Sequence, residues 1–152
     1  MFNIIGDMII KRVVLDTNVL VAASRSRLGA SFALMQALRD GRYRALASTP
    51  LLLEYAAVLH RPEQLEASGR TAAQTHTFLD ALCLRIEPVH LHYLWRPQLR
   101  DPADEIVLET ALNGRADALV TLNVGDFAPA VHFGLPVLTP GAFWRQLNEE
   151  KL

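Results

Sequence analysis

Ile9-Ile10-Lys11-Arg12-Val13-Val14-Leu15-Asp16-Thr17-Asn18 sets the reading of the whole chain. A short apolar run, rich in β-branched residues, stops abruptly at an acid followed by two small polar residues. Apolar side chains on consecutive positions mark a strand buried on both faces. Asp, Thr and Asn then supply a turn or a helix cap. The same pattern returns at Ala118-Leu119-Val120-Thr121-Leu122, followed by Asn123, and in shorter form from Pro136 to Leu138.

Helical signals fill the intervals. Ser31 to Arg39 has helical spacing, and Gly41 follows as a stop. Tyr43 to Ala47 reads as a strand. Thr49-Pro50 reads as an N-cap and a first helical position, opening a helix that runs to about His60 and ends before Pro62. Thr71 to Leu84 reads as a helix with Phe78, Leu79, Leu82 and Leu84 on its apolar side, with Cys83 in the core beside them. Arg85 to Val89 is a further strand. Asp101-Pro102 repeats the cap-then-proline signal ahead of a helix from Ala103 to Leu112, stopped at Gly114. Thr139-Pro140 caps a last helix from Gly141 to about Leu147. Strands alternating with helices imply an α/β domain with a parallel sheet covered on both faces. In such sheets ligands sit beyond the carboxyl ends of the strands.

The composition agrees. With 152 residues, 51% hydrophobic and 20% charged, the chain is one domain rather than a disordered polymer. No linker or repeat divides it: residues 1–9 read as an N-terminal extension, 10–148 as the domain and 149–152 as a tail. The fold signals begin directly after Met8, which makes Met8 an alternative start. A single cysteine, Cys83, excludes an internal disulfide and a cysteine-based zinc site. No apolar run approaches the length of a membrane span, and the first ten residues lack the basic start of a signal peptide, so the expected location is the cytoplasm. The net charge of −1 gives no broad basic footprint for nucleic acid, though bound cations can supply positive charge locally.

Acids gather where the fold rule directs attention. Asp16 follows the first strand. Glu54 lies one turn into the helix after the second, in an otherwise apolar stretch. Asp104 lies in the first turn of the helix leading into the Ala118–Leu122 strand, and Asn123 and Asp126 follow that strand. Carboxylates brought together repel one another, and Mg²⁺ or Mn²⁺, ligated by carboxylate oxygens and water, relieves that repulsion. Such a site suits phosphodiester hydrolysis. Each acid also has a structural alternative: Asp16, Thr17 and Asn18 can cap a helix, Asp101 fits an N-cap, and Asp104 favours a helix dipole.

Val13-Val14-Leu15-Asp16-Thr17-Asn18-Val19-Leu20 resembles the opening motif of PIN-domain nucleases. Thr49 to Tyr55 resembles their second motif. Asp101-Pro102-Ala103-Asp104-Glu105 through Ala118 to Phe127 resembles the third and fourth, and Leu138 to Trp144 their closing strand and helix. The likeness runs over residues 10 to 147 and is nearest to VapC-like toxins of bacterial toxin–antitoxin pairs. It implies a three-layer α/β/α fold with a central, mainly parallel sheet, and a Mg²⁺- or Mn²⁺-dependent endoribonuclease, paired with an antitoxin protein and expected to form a homodimer. It makes Asp16 and Asp104 direct metal ligands and Glu54 a ligand or water-orienting group; Thr17, Asn18, Thr121 and Asn123 are read beside them as auxiliary or substrate-orienting residues. At the fourth acidic position this chain has Asn123, and Asp126 is the acid that can replace it. The alternatives are a PIN fold kept for RNA or protein binding without catalysis, and a housekeeping RNA-processing nuclease.

Other sites are less promising. Asn18 stands where haloacid-dehalogenase-like phosphatases need a second Asp, and the glycine-rich nucleotide motifs are missing. His90 and His92 read as surface residues. Arg25 and Arg27 are candidates for RNA phosphate contact, as are Arg96 and Arg100 ahead of Asp101.

Overall fold

The computed structural model describes residues 2–3, 8–94 and 96–149. In chain order the elements are β1 (Phe2–Asn3), β2 (Met8–Ile9), β3 (Arg12–Leu15), α1 (Thr17–Arg25), α2 (Ala30–Arg39), β4 (Arg44–Ala47), α3 (Thr49–Leu59), α4 (Pro62–Ser68), α5 (Ala72–Cys83), β5 (Ile86–Pro88), α6 (Pro102–Asn113), β6 (Ala118–Val120), a 3-10 segment (Val124–Phe133), β7 (Val137–Leu138) and α7 (Pro140–Glu149). β1 and β2 pair antiparallel within the expected N-terminal extension; residues 1 and 4–7 of that extension and 150–152 of the tail lie outside the described residues.

β3 to β7 form one five-stranded sheet in the order β5-β4-β3-β6-β7, with every pairing parallel. Val13, Val14 and Leu15 of β3 and Leu119 and Val120 of β6 are buried to 1% exposure or less, as expected of strands covered on both faces. The chain moves outward from β3 through β4 to β5, then returns through α6 to the other side of β3. Right-handed crossovers in opposite directions place α6 on the face opposite α1 and α2. α6 packs on β3, β4 and β6, while α2 packs on α1 and α7. Tyr43 ties this second layer together: its ring meets Phe143 edge-on at 5.2 Å and its hydroxyl donates to the Leu34 carbonyl at 2.7 Å. The result is a three-layer α/β/α domain. Among the described residues, no helix is long and apolar enough to cross a membrane.

Several local expectations need correction. The N-cap of α3 is Ser48, not Thr49: Ser48 Oγ accepts from the Leu51 amide at 3.3 Å, and Thr49 is already helical. Ser48 is buried beside Thr110 of α6, so packing selects it over its exposed neighbour. Pro62 does not merely end α3; it opens α4, because proline lacks only an amide that a first helical turn leaves unpaired. α5 ends at Cys83, and Leu84 is 86% exposed rather than on the apolar side; Cys83 is exposed too, because the helix turns both outward. β6 stops at Val120, and Leu122 is about half exposed.

Candidate active site

The sheet changes its direction of growth between β3 and β6, and a crevice opens at the carboxyl ends of this pair. Leu15 and Val120 lie opposite one another in register, so the next residues, Asp16 and Thr121, are brought side by side. The Asp16 amide donates to the Val120 carbonyl at 2.9 Å, and the Thr121 hydroxyl donates to Asp16 Oδ2 at 2.8 Å. Asp16 occupies the N-cap position of α1, yet its side chain makes no capping hydrogen bond. It is 7% exposed.

Asn18 braces the facing loop. Its Nδ2 donates to Thr121 Oγ1 at 3.3 Å, and its Oδ1 accepts from the Leu122 amide at 3.2 Å. Thr121 Oγ1 also accepts from the Asn123 amide at 3.0 Å. Asn123 thus enters the network through its backbone. From it the 3-10 segment turns, with the Asp126 amide donating to the Asn123 carbonyl at 3.0 Å. Thr17 is buried in the first turn of α1. Below this loop, the Tyr55 hydroxyl of α3 donates to the Leu15 carbonyl at the end of β3.

Asp104 approaches from the first turn of α6, behind the Asp101 N-cap, whose Oδ1 accepts from the Ala103 amide at 2.9 Å. Asp101, Asp104 and Asp126 line an open pocket of about 540 Å³ together with Leu99, Arg100 and Pro129. Burial raises the Asp104 carboxyl to about 6, with Asp16, Asp101 and Asp126 adding like-charge repulsion. Burial also pushes Asp16 upward, opposed by the Thr121 hydrogen bond and by the Thr17 and Asn18 amides of the first turn, and helped by Asp126. Asp104 therefore feels both Asp16 and Asp126 across the crevice.

Glu54 is half-buried on α3 and is not among the charges that raise Asp16 or Asp104. Among the described residues, no three Asp, Glu, His or Cys side chains come close enough to hold a metal ion jointly. The donor set of the pocket is nonetheless that of a hard cation: carboxylates that repel one another, with no thiol or imidazole in the lining. Mg²⁺ keeps several waters and takes one or two carboxylates, which these residues can supply.

The arginine candidates separate. Arg25 Nε donates to Gln64 Oε1 of α4 at 2.7 Å, and Arg27 is exposed beyond the end of α1. Arg96 is paired with the buried Glu109. The sequence reading passed over Glu105, which is 4% exposed; its Oε1 accepts from the Gln98 and Leu99 amides at 2.6 and 2.7 Å. Its place directly after Asp104 gives no hint of that role.

A family model described as PIN domain matches residues 12–125. The chain belongs to the PIN-domain family. That match covers β3 to β6 and every acid of the crevice except Asp126, which lies one residue beyond it. No curated protein matches this PIN domain in sequence. Its fold is similar to a chain in the crystal structure of VapBC2 from Rickettsia felis bound to a DNA fragment from their promoter, with TM-score 0.56 and 15% identity over 84% of this chain and 98% of that one. It is similar as well to a chain in the structure of FitAB bound to an IR36 DNA fragment, with TM-score 0.57 and 17% identity over 87% of this chain and 95% of that one. PIN domains are in general divalent-metal-dependent nucleases.

Proposed function

We propose that this PIN domain is a Mg²⁺- or Mn²⁺-dependent endoribonuclease, the toxin of a type II toxin–antitoxin pair. The observation that carries the reading is the placing of Asp16, Asp104 and Asp126 around the β3–β6 crevice, with Asp104 and Asp126 lining one pocket and Asp16 and Asp126 both adding to the repulsion on Asp104. Asp16 and Asp104 would hold the ion, and Asp126 takes the fourth acidic place that Asn123 leaves uncharged. When bound, the ion supplies a water of lowered pKa and positive charge for the phosphate. Thr121 and Asn18 keep Asp16 in place, and the Thr121 hydrogen bond opposes the upward push of burial. Glu54 keeps the role the family resemblance gives it, metal binding or orientation of water. The substrate is RNA, the setting the cytoplasm, and the partners an antitoxin and a second copy of the chain; the fold likeness to chains of VapBC2 and FitAB supports the antitoxin.

Purified protein incubated with RNA in Mg²⁺ or Mn²⁺ tests this. Internal cleavage that stops in EDTA is the expected result, and cleavage that persists in EDTA overturns the metal-dependent mechanism. A second reading, a PIN fold retained for binding alone, draws on the absence of a joint ligand set of three among the described residues. It requires RNA or protein binding with no cleavage at any Mg²⁺ or Mn²⁺ concentration. Growth arrest on expression, relieved by the product of a small neighbouring gene, separates a toxin from a housekeeping nuclease.

A further inference from the structure

We propose that Arg100 is the phosphate-binding cation of the crevice and that Glu105 is its positioning residue. The proposal rests on the nuclease reading and assigns its substrate contact. A pocket lined by Asp101, Asp104 and Asp126 repels RNA unless a cation stands in it, and Arg100 is the basic residue in its lining. Among the described residues Arg100 makes no ion pair, whereas Arg96 is taken up by Glu109 and Arg25 by Gln64. A planar guanidinium presents two parallel N–H donors to two phosphate oxygens, which suits a contact beside a scissile phosphodiester.

The segment that carries Arg100 has no helix or strand of its own, yet it is firmly tied. Glu105, Glu109 and Asn113 recur every fourth residue along one face of α6. Asn113 Oδ1 accepts from the His92 and Tyr93 amides at 2.8 and 3.0 Å. Glu109, 1% exposed, accepts from the Arg96 guanidinium, with Nη2 at 3.2 Å. Glu105 Oε1 accepts from the Gln98 and Leu99 amides, and Asp101 then caps the helix. Arg100 is thus bracketed between a residue held by Glu105 and a residue fixed as an N-cap. Glu105 Oε2 is buried with no hydrogen-bond partner among the described residues. One oxygen performs the positioning, so a neutral amide, which keeps that acceptor, can replace the carboxylate.

The test is binding of a fluorescent single-stranded RNA oligonucleotide in Mg²⁺, followed by anisotropy over a salt titration, in an Asp16→Asn background so that the RNA persists. Arg100→Gln is expected to weaken binding about tenfold and to lower the slope of log K against log salt by about 0.7, the contribution of one phosphate contact on a single strand. Arg100→Lys restores the slope and only part of the affinity. Glu105→Ala reproduces the Arg100→Gln result, and Glu105→Gln binds as the parent does. An unchanged slope in Arg100→Gln, a slope lost in Arg25→Gln in its place, or a folded Glu105→Gln that binds as weakly as Glu105→Ala overturns the proposal alone. No RNA binding by the Asp16→Asn parent overturns it together with the nuclease reading. Cleavage of the oligonucleotide by that parent, seen on a gel, overturns only the assignment of Asp16.

Discussion

Asp16 is buried at the junction of β3 and α1, with the Thr121 hydroxyl donating to its carboxyl and two acidic neighbours across the crevice. Asn at this position keeps an acceptor for Thr121 and sheds the charge. Asp16→Asn should therefore abolish cleavage, while apo stability is unchanged or raised by about 0.5–2 kcal/mol, the size common when a functional-site conflict is relieved. RNA cleavage in Mn²⁺ and melting in EDTA, measured side by side, check both halves. Wild-type cleavage by the variant would remove Asp16 from the mechanism. Asp104 carries a pH signature. Its folded carboxyl holds a proton up to about 6, against an ordinary value of 3.8, so the folded state binds the proton more tightly than the unfolded chain. The stabilising contribution is complete below the ordinary value and is lost as pH rises through about 6. After discounting for solvent screening of so open a site, the loss is about 1 kcal/mol. Urea denaturation in EDTA at pH 4.5 and 7 should show it, and Asp104→Asn should flatten the difference.

At the scale of the element, the start of α3 and the end of α6 show packing overruling local pattern. Ser48 both caps α3 and shares a hydrogen bond with Thr110 across to α6, at 2.7 Å. Ser48→Ala should cost about 1–2 kcal/mol, as lost N-caps do, whereas Thr49→Ala should be nearly neutral. Chemical denaturation of the two variants decides which residue is the cap. Gly114 ends α6 with an ordinary negative φ, so its value is space rather than backbone freedom. A Cβ there would lie 2.8 Å from Val89 Cγ2 and 3.0 Å from the Thr110 carbonyl. Gly114→Ala should cost about 1–3 kcal/mol through overpacking against Leu46 of β4 and Val89 just after β5. A melting temperature equal to wild type would show that this seam relaxes freely.

At the scale of the whole molecule, the two halves of the crevice come from opposite directions of chain growth. Asp16 arrives on β3, Asp104 on the crossover helix that returns across the sheet, and Asp126 on the segment after β6. An ion held by Asp16 and Asp104 would bind the folded chain and not the unfolded one. Mn²⁺ at about 100 times its Kd should raise stability by about 2.7 kcal/mol. A melting temperature in Mn²⁺ no higher than in EDTA would oppose a shared ion, and a rise that survives Asp16→Asn would place it elsewhere.

Sequence alone determined the elements whose signals are local. Val13 to Leu15 and Ala118 to Val120 announce buried strands by consecutive apolar residues, and Thr71, Asp101 and Gly41 mark helix ends through caps and a positive φ that any reader of the chain can anticipate. The acids at strand ends were legible for the same reason, since strand, stop and acid are adjacent in the chain. Tertiary structure decided what depends on residues far apart. It chose Ser48 over Thr49 through a partner on α6, turned Cys83 and Leu84 outward, and opened α4 at a proline that local pattern reads as an end. It set Asp126 with Asp104 in one pocket and left Glu54 out of the charges that raise Asp104. Glu105 follows Asp104 directly, yet one faces the crevice and the other is buried under the 98–99 backbone, because successive residues of a helix point about 100° apart. A charge pattern along the chain cannot distinguish these two acids; only the packing of α6 against the segment before it does.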